Sequence, residues 1–178
     1  LEGYAARFPD EDDASAVRTL VTARPDCFER SCLPGHITAS CWIASDDGER
    51  FLLTHHRKLD RWLQLGGHAD GDADVVNVAL REAQEESGMR KFDLIVPDAQ
   101  CAVIAVDVHT IPARKAEPEH EHHDIRFLFA AHPGQPLVIS DESNDLRWFA
   151  WDELADVDTD ESLLRLSRKA RRVLEAQG

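Results

Sequence analysis

Glu82, Glu85 and Glu86 fall at i, i+3 and i+4, a spacing that puts three carboxylates on one face of an α-helix. Like charges so placed repel, and each pair costs an isolated helix a few tenths of a kcal/mol, so a compensating cation is expected. A hard divalent ion fits that need, because magnesium takes carboxylate oxygens and keeps positions for water and substrate phosphate oxygens. Arg81, four residues before Glu85, can hydrogen-bond a carboxylate and hold it in a ligating pose. Gly66 and Gly67 let backbone come close to the helix and its ligand, and Gly88 permits a sharp exit.

The full run GGHADGDADVVNVALREAQEESGM resembles the Nudix box, G-x5-E-x7-R-E-U-x-E-E-x-G-U with U aliphatic. Gly67 matches the first glycine, Arg81-Glu82 the Arg-Glu pair, Glu85-Glu86 the Glu pair, and Gly88-Met89 the end. Ala83 takes the first U with a small side chain. One position departs: Ala73 stands where the family has its first glutamate, flanked by Asp72 and Asp74. Either a neighbouring aspartate substitutes, or that carboxylate is dispensable here. The resemblance implies an α/β fold, a Nudix-like α/β/α sandwich around a central mixed β-sheet. It also implies magnesium- or manganese-dependent hydrolysis of a diphosphate bond in a nucleoside diphosphate linked to another group. Glu82, Glu85 and Glu86 then hold the metal, the Gly67 carbonyl is a further ligand, and Arg81 orients.

A general base need not lie on the same helix. Glu142 and Asp145, in the loop DESNDL, are candidates, as are His120 and His122. From His120 to Phe129, period-two alternation puts His120, His122, Asp124 and Arg126 on one strand face. Two histidines and an aspartate there suit a transition metal or a substrate phosphate. Arg57 and Trp62 sit in the most basic patch of the first half, where Arg57 would bind phosphate and Trp62 would stack a base.

These groups need elements to position them. Asp74 to Ser87 has helical periodicity, with Val76, Ala79, Leu80 and Ala83 as its apolar stripe. Apolar runs predict strands at Ile37 to Ala44 and Arg50 to His55, joined as a hairpin by Asp46-Asp47-Gly48. Trp62 to Leu65 is a brief extended piece. Further strands are expected at Cys101 to Ile111, Ile125 to Ala131 and Leu146 to Phe149, the first two separated by a charged connection containing Pro112 and Pro118. A helix within Asp10 to Ala23, stopped by Pro25, and an amphipathic helix from Asp160 to Ala176 complete the pattern. At 178 residues and 43% hydrophobic, the chain is read as a single domain, 1–178, with a peripheral segment over roughly the first 35.

The net charge of −14 disfavours nucleic acid and anionic lipid as partners and points to a small-molecule anion recruited through cations. No apolar run approaches the roughly 20 residues of a membrane span. Four cysteines without a CxxC pair (Cys27, Cys32, Cys41, Cys101) suggest reduced thiols and a cytoplasmic setting, and the strands leave room for a homodimer. Cys41 and Cys101 sit in apolar runs and read as core, which disfavours an isomerase using a pocket thiol. The intact acidic cluster favours an active hydrolase. Ala73 favours the alternative, a catalytically weak nucleotide-binding or sensor domain.

Overall fold

The structure, a computed structural model, describes residues 1–99, 101–114 and 117–177. Its centre is β1 (Gly35–Ser45), buried along its whole length. β1 pairs in parallel with β7 (His120–Ala131), while every other strand pairing is antiparallel, so the sheet is mixed. The expected hairpin is present: β2 (Arg50–His56) returns against β1 with Ile43 opposite Leu52.

On that edge β1 has two partners in succession. β2 holds it at Ile43 and Ala44, then diverges, and β4 (Leu65–His68) takes over from Thr38 to Cys41. β7 is likewise shared between β6 (Ala105–Ile111) and β5 (Phe92–Leu94). β3 (Arg61–Leu63) and β8 (Ser143–Ala150) extend the sheet beyond β2. Shared edges split the sheet and open a wedge over β1 and β7, and the site sits there.

Alternation along β1 sends Ile37, Ala39, Cys41 and Ile43 into one core, with Ile125, Phe127 and Phe129 of β7. That core is covered by α1 (Glu2–Arg7), α2 (Asp13–Ala23) and α3 (Val75–Ser87). On the opposite face Trp42, Phe51, Leu53 and Leu128 pack beneath α4 (Glu161–Gln177) and a 3-10 turn, Trp151–Asp156. Helices on both faces of a mixed sheet make the α/β/α sandwich.

Two expectations need adjustment, and the segment over the first 35 residues is tied into the core. Tyr4, Val17, Cys27 and Cys32 are almost wholly buried in the first core, and Lys169 of α4 donates to the Tyr4 hydroxyl at 2.6 Å. The strand expected from Cys101 begins only at Ala105: Val103 and Ile104 are buried ahead of it, with Ile104 N–H already donating to the Arg126 carbonyl of β7 at 3.0 Å. In α3 the fully buried apolar residues are Val78, Ala79 and Ala83, while Val76 and Leu80 are partly covered, a stripe slightly rotated from the expected one. Residues 115 and 116 of the charged connection lie outside the described residues, as does residue 178 of the expected domain. Among the described residues no helix is long and apolar enough to cross a membrane.

Candidate active site

α3 carries the acidic cluster, and its ends are defined. The Asp74 side chain caps the first turn by accepting from Asn77 N–H at 3.2 Å, and Asp72 accepts from Asp74 N–H and Asn77 Nδ2. Both aspartates beside Ala73 are therefore engaged in starting the helix, and neither lines the cavity described below. Gly88 ends α3 in the left-handed region at φ 72°, where a side chain would strain the backbone and strike Val138.

The carboxylate face of α3 looks into a cavity of about 880 Å³, of the size that holds a nucleotide-like ligand. Its walls include Gly66, Gly67, Arg81, Glu82, Glu85, Glu86, Glu142, His120 and His122. β4 delivers the two glycines against α3. Gly66 N–H donates to Glu86 Oε1 at 2.8 Å. A Cβ on Gly67 would meet Glu82 Oε2 at 2.6 Å, so only glycine lets the strand and this carboxylate lie so close. Arg81 donates to Glu82 Oε1 and to the His68 carbonyl, both at 2.9 Å. The carboxylate it holds is thus Glu82, not the Glu85 one turn on, because the guanidinium is anchored on β4.

The cluster is short of positive charge. Glu82 has Arg81, but among the described residues no Lys, Arg or His pairs with Glu85, Glu86 or Glu142. Desolvation pushes the Glu86 carboxyl up to about 8, opposed by the Gly66 N–H and reinforced by Glu82, Glu142 and Glu85. Desolvation also raises Glu82, against the pull of Arg81. Glu82, Glu85, Glu86 and Glu142 line one cavity, and the others' charges help raise Glu82 and Glu86; carboxylate oxygens are the donors a hard divalent cation takes, so these residues fit a magnesium or manganese ion.

The remaining candidates divide. Glu142 lines the cavity, its loop pinned where Arg57 N–H donates to the Glu142 carbonyl at 3.0 Å. The structure does not bring Arg57 or Trp62 to the cavity wall. The Arg57 guanidinium reaches the Ser143 carbonyl, and Trp62 packs edge-on against Phe149 at 4.8 Å beside Arg147. A three-residue strand gives no periodicity from which its exposed face can be read, so Trp62 could not be placed in advance. Asp145 is turned to Leu146 N–H. Asp124 is also engaged, accepting from Thr38, Ser40 and Arg126.

Lys58, which follows Arg57 in the basic patch read from the sequence, does line the cavity. Several other cavity residues escaped sequence reasoning. Arg30 lines it in a bidentate pair with Asp70, both contacts 2.6 Å. His36, His68 and His109 join His122 there. The strand register unites them: His36 and His109 are both the direct partners of His122 across the sheet.

A family model, the NUDIX domain, matches residues 34–173, which spans the sheet, α3 and most of α4. The chain belongs to the Nudix family. No curated protein matches it in sequence. Among solved structures, a Nudix-family hydrolase from Clostridium perfringens is similar at TM-score 0.63 and 22% identity, covering 80% of this chain and 98% of that one. A C. elegans Ap4A hydrolase complex gives TM-score 0.62 at 19% identity, covering 79% and 98%. The E. coli dihydroneopterin triphosphate pyrophosphohydrolase gives 0.59 at 19%, covering 80% and 96%. At these identities the likeness is one of fold, and the Nudix box of this chain falls on the β4–α3 unit just described.

Proposed function

We propose that this Nudix pyrophosphohydrolase cleaves a diphosphate bond in a nucleoside diphosphate linked to a further group, with magnesium or manganese. The observation that carries the reading is the set of Glu85, Glu86 and Glu142, carboxylates with no salt-bridging Lys, Arg or His among the described residues, in a cavity large enough for a nucleotide. The C. elegans and E. coli neighbours are named for Ap4A and dihydroneopterin triphosphate, compounds that share the phosphoanhydride bond. A divalent ion held by Glu82, Glu85, Glu86 and the Gly67 carbonyl would neutralise the diphosphate and activate water when bound.

The chain's own groups do the rest. Arg81 holds Glu82 against β4, and Gly66 N–H fixes Glu86, so both present their oxygens without rotamer search. Glu142 takes the proton of the attacking water. Arg30 and Lys58 supply positive charge to substrate phosphates from the cavity wall, and His120 and His122 bound the space left for the substrate. The four free, buried cysteines support a reducing, cytoplasmic setting.

A second reading, a nucleotide-binding sensor with weak catalysis, draws on Ala73: the box glutamate is absent and its neighbours Asp72 and Asp74 cap the helix. One screen separates the two. ADP-ribose, dinucleoside polyphosphates, nucleotide sugars and nucleoside triphosphates are incubated with magnesium or manganese, beside Glu85→Gln. The hydrolase reading expects turnover of at least one compound and its loss in the variant. Binding without turnover would favour the sensor, and turnover equal in wild type and variant would refute the assignment of the site.

A further inference from the structure

The same cavity holds a second, chemically different donor set. His36, His68 and His122 each offer a ring nitrogen within 4.8 Å of the others. They come from three strands, β1, β4 and β7, so the sheet itself fixes their separation. His36 is 2% exposed and lines the cavity, and among the described residues neither of its ring nitrogens has a partner in strict hydrogen-bonding geometry, the nearest being a loose contact with the Cys32 backbone. Leaving a buried imidazole unsatisfied is unfavourable, which calls for a partner that accepts nitrogen lone pairs.

A fourth ring adds to the case. His120 Nδ1 lies 2.9 Å from the Pro118 carbonyl, which can only accept, so Nδ1 carries the proton and Nε2 of the neutral ring carries a lone pair. That Nε2 is 3.3 Å from His122 Nε2. Two imidazole nitrogens on one tetrahedral zinc, with bonds of about 2.0–2.1 Å, stand roughly that far apart.

We propose that His36, His68 and His122 form a transition-metal site of the zinc class, with His120 the adjacent fourth imidazole, separate from the carboxylate site on α3. Imidazole nitrogen is a borderline-soft donor that selects zinc or cobalt, whereas the glutamate oxygens select magnesium or manganese. The two donor sets share a structural link, since the His68 carbonyl accepts from Arg81, which also holds Glu82. Its metal selectivity does not depend on which diphosphate is the substrate.

The test is a cobalt titration of the full chain, purified without an affinity tag, stripped with chelator, and kept in excess magnesium to fill the oxygen site. The expected result is one equivalent of cobalt, bound with the visible ligand-field absorption of a nitrogen-ligated, low-coordinate ion. His68→Asn and His122→Asn should weaken that binding by on the order of a hundredfold, while Glu85→Gln leaves the band in place. Absence of the band, or its persistence in both histidine variants and loss in Glu85→Gln, would overturn the proposal. Should those variants fold poorly by circular dichroism, the ring ¹⁵N resonances of the wild type decide it. Zinc should shift the nitrogens of His36, His68 and His122, and unshifted resonances would refute the site.

Discussion

Two groups of buried or half-buried charge lie close together in this molecule and are treated in opposite ways. At the cavity wall, Arg126 bridges Asp124 at 2.7 Å and Asp107 at 3.1 Å, and Asp107 also accepts from Ser162 and Arg165 at 2.6 Å each. Burial would raise the Asp107 carboxyl, but the His109 hydrogen bond, the Arg126 charge and the Ser162 hydroxyl outweigh it and hold it well below the usual range. Every acid there has a partner, and the network ties β6, β7 and α4 together. On α3 the acids face one another, and Glu86 is pushed up to about 8. Evenly matched charge is architecture, and unmatched charge held in place by Gly66 and Arg81 marks a place for a ligand.

The largest effect expected from breaking this contrast is catalytic. Glu86→Gln should lower turnover of the substrate found in the screen by about a hundredfold or more, read as kcat at saturating magnesium. Next is Arg126→Met, which leaves Asp107 and Asp124 buried without their cation and should cost about 3–5 kcal/mol in urea unfolding. Glu86→Gln in metal-free protein should show no such loss. If the two variants destabilise equally, the distinction between the regions fails.

The pH dependence should also separate them. Without metal, a Glu86 carboxyl raised from 4.5 to about 8 makes the folded state bind more protons than the unfolded state across that window. Stability should therefore fall as pH rises from about 4.5 to about 8, and Glu86→Gln should flatten that slope. Asp107, held low, has the opposite sign: its stabilisation is complete above the ordinary value of 3.8 and is lost as pH falls below it. Thermal melts at constant ionic strength measure both slopes. The smallest effect is local: Asp74→Ala removes the cap of α3 and should cost about 1 kcal/mol, with the network around Arg126 unaffected.

How much of this was legible beforehand follows from range. α3 and its acid face could be read because Glu82, Glu85 and Glu86 are neighbours on one helix, as could the hairpin of β1 and β2 around its turn. Glu142 could be named as a candidate because its loop is short and polar. The histidine group could not be assembled, since His36, His68 and His122 meet only through the pairing of β1 with β4 and β7. Alternation along β7 alone selected Asp124 as their companion, whereas Thr38, Ser40 and Arg126 take up that carboxylate. Arg57 was singled out for its charge, but it serves by fixing the Glu142 loop through its backbone. The burial of Tyr4 and α2 was equally out of reach, because a short amphipathic helix does not disclose which surface it covers.

The claim that the α3 carboxylates are left unmatched in order to hold a divalent ion is tested most directly by manganese binding. Free manganese is followed by its electron paramagnetic resonance signal during titration into chelator-treated wild type and into the Glu85→Gln, Glu86→Gln double variant. The account predicts that wild type suppresses the free-ion signal until its sites fill, and that the double variant leaves the signal near that of buffer. Equal suppression by both proteins, or none by wild type, would contradict it.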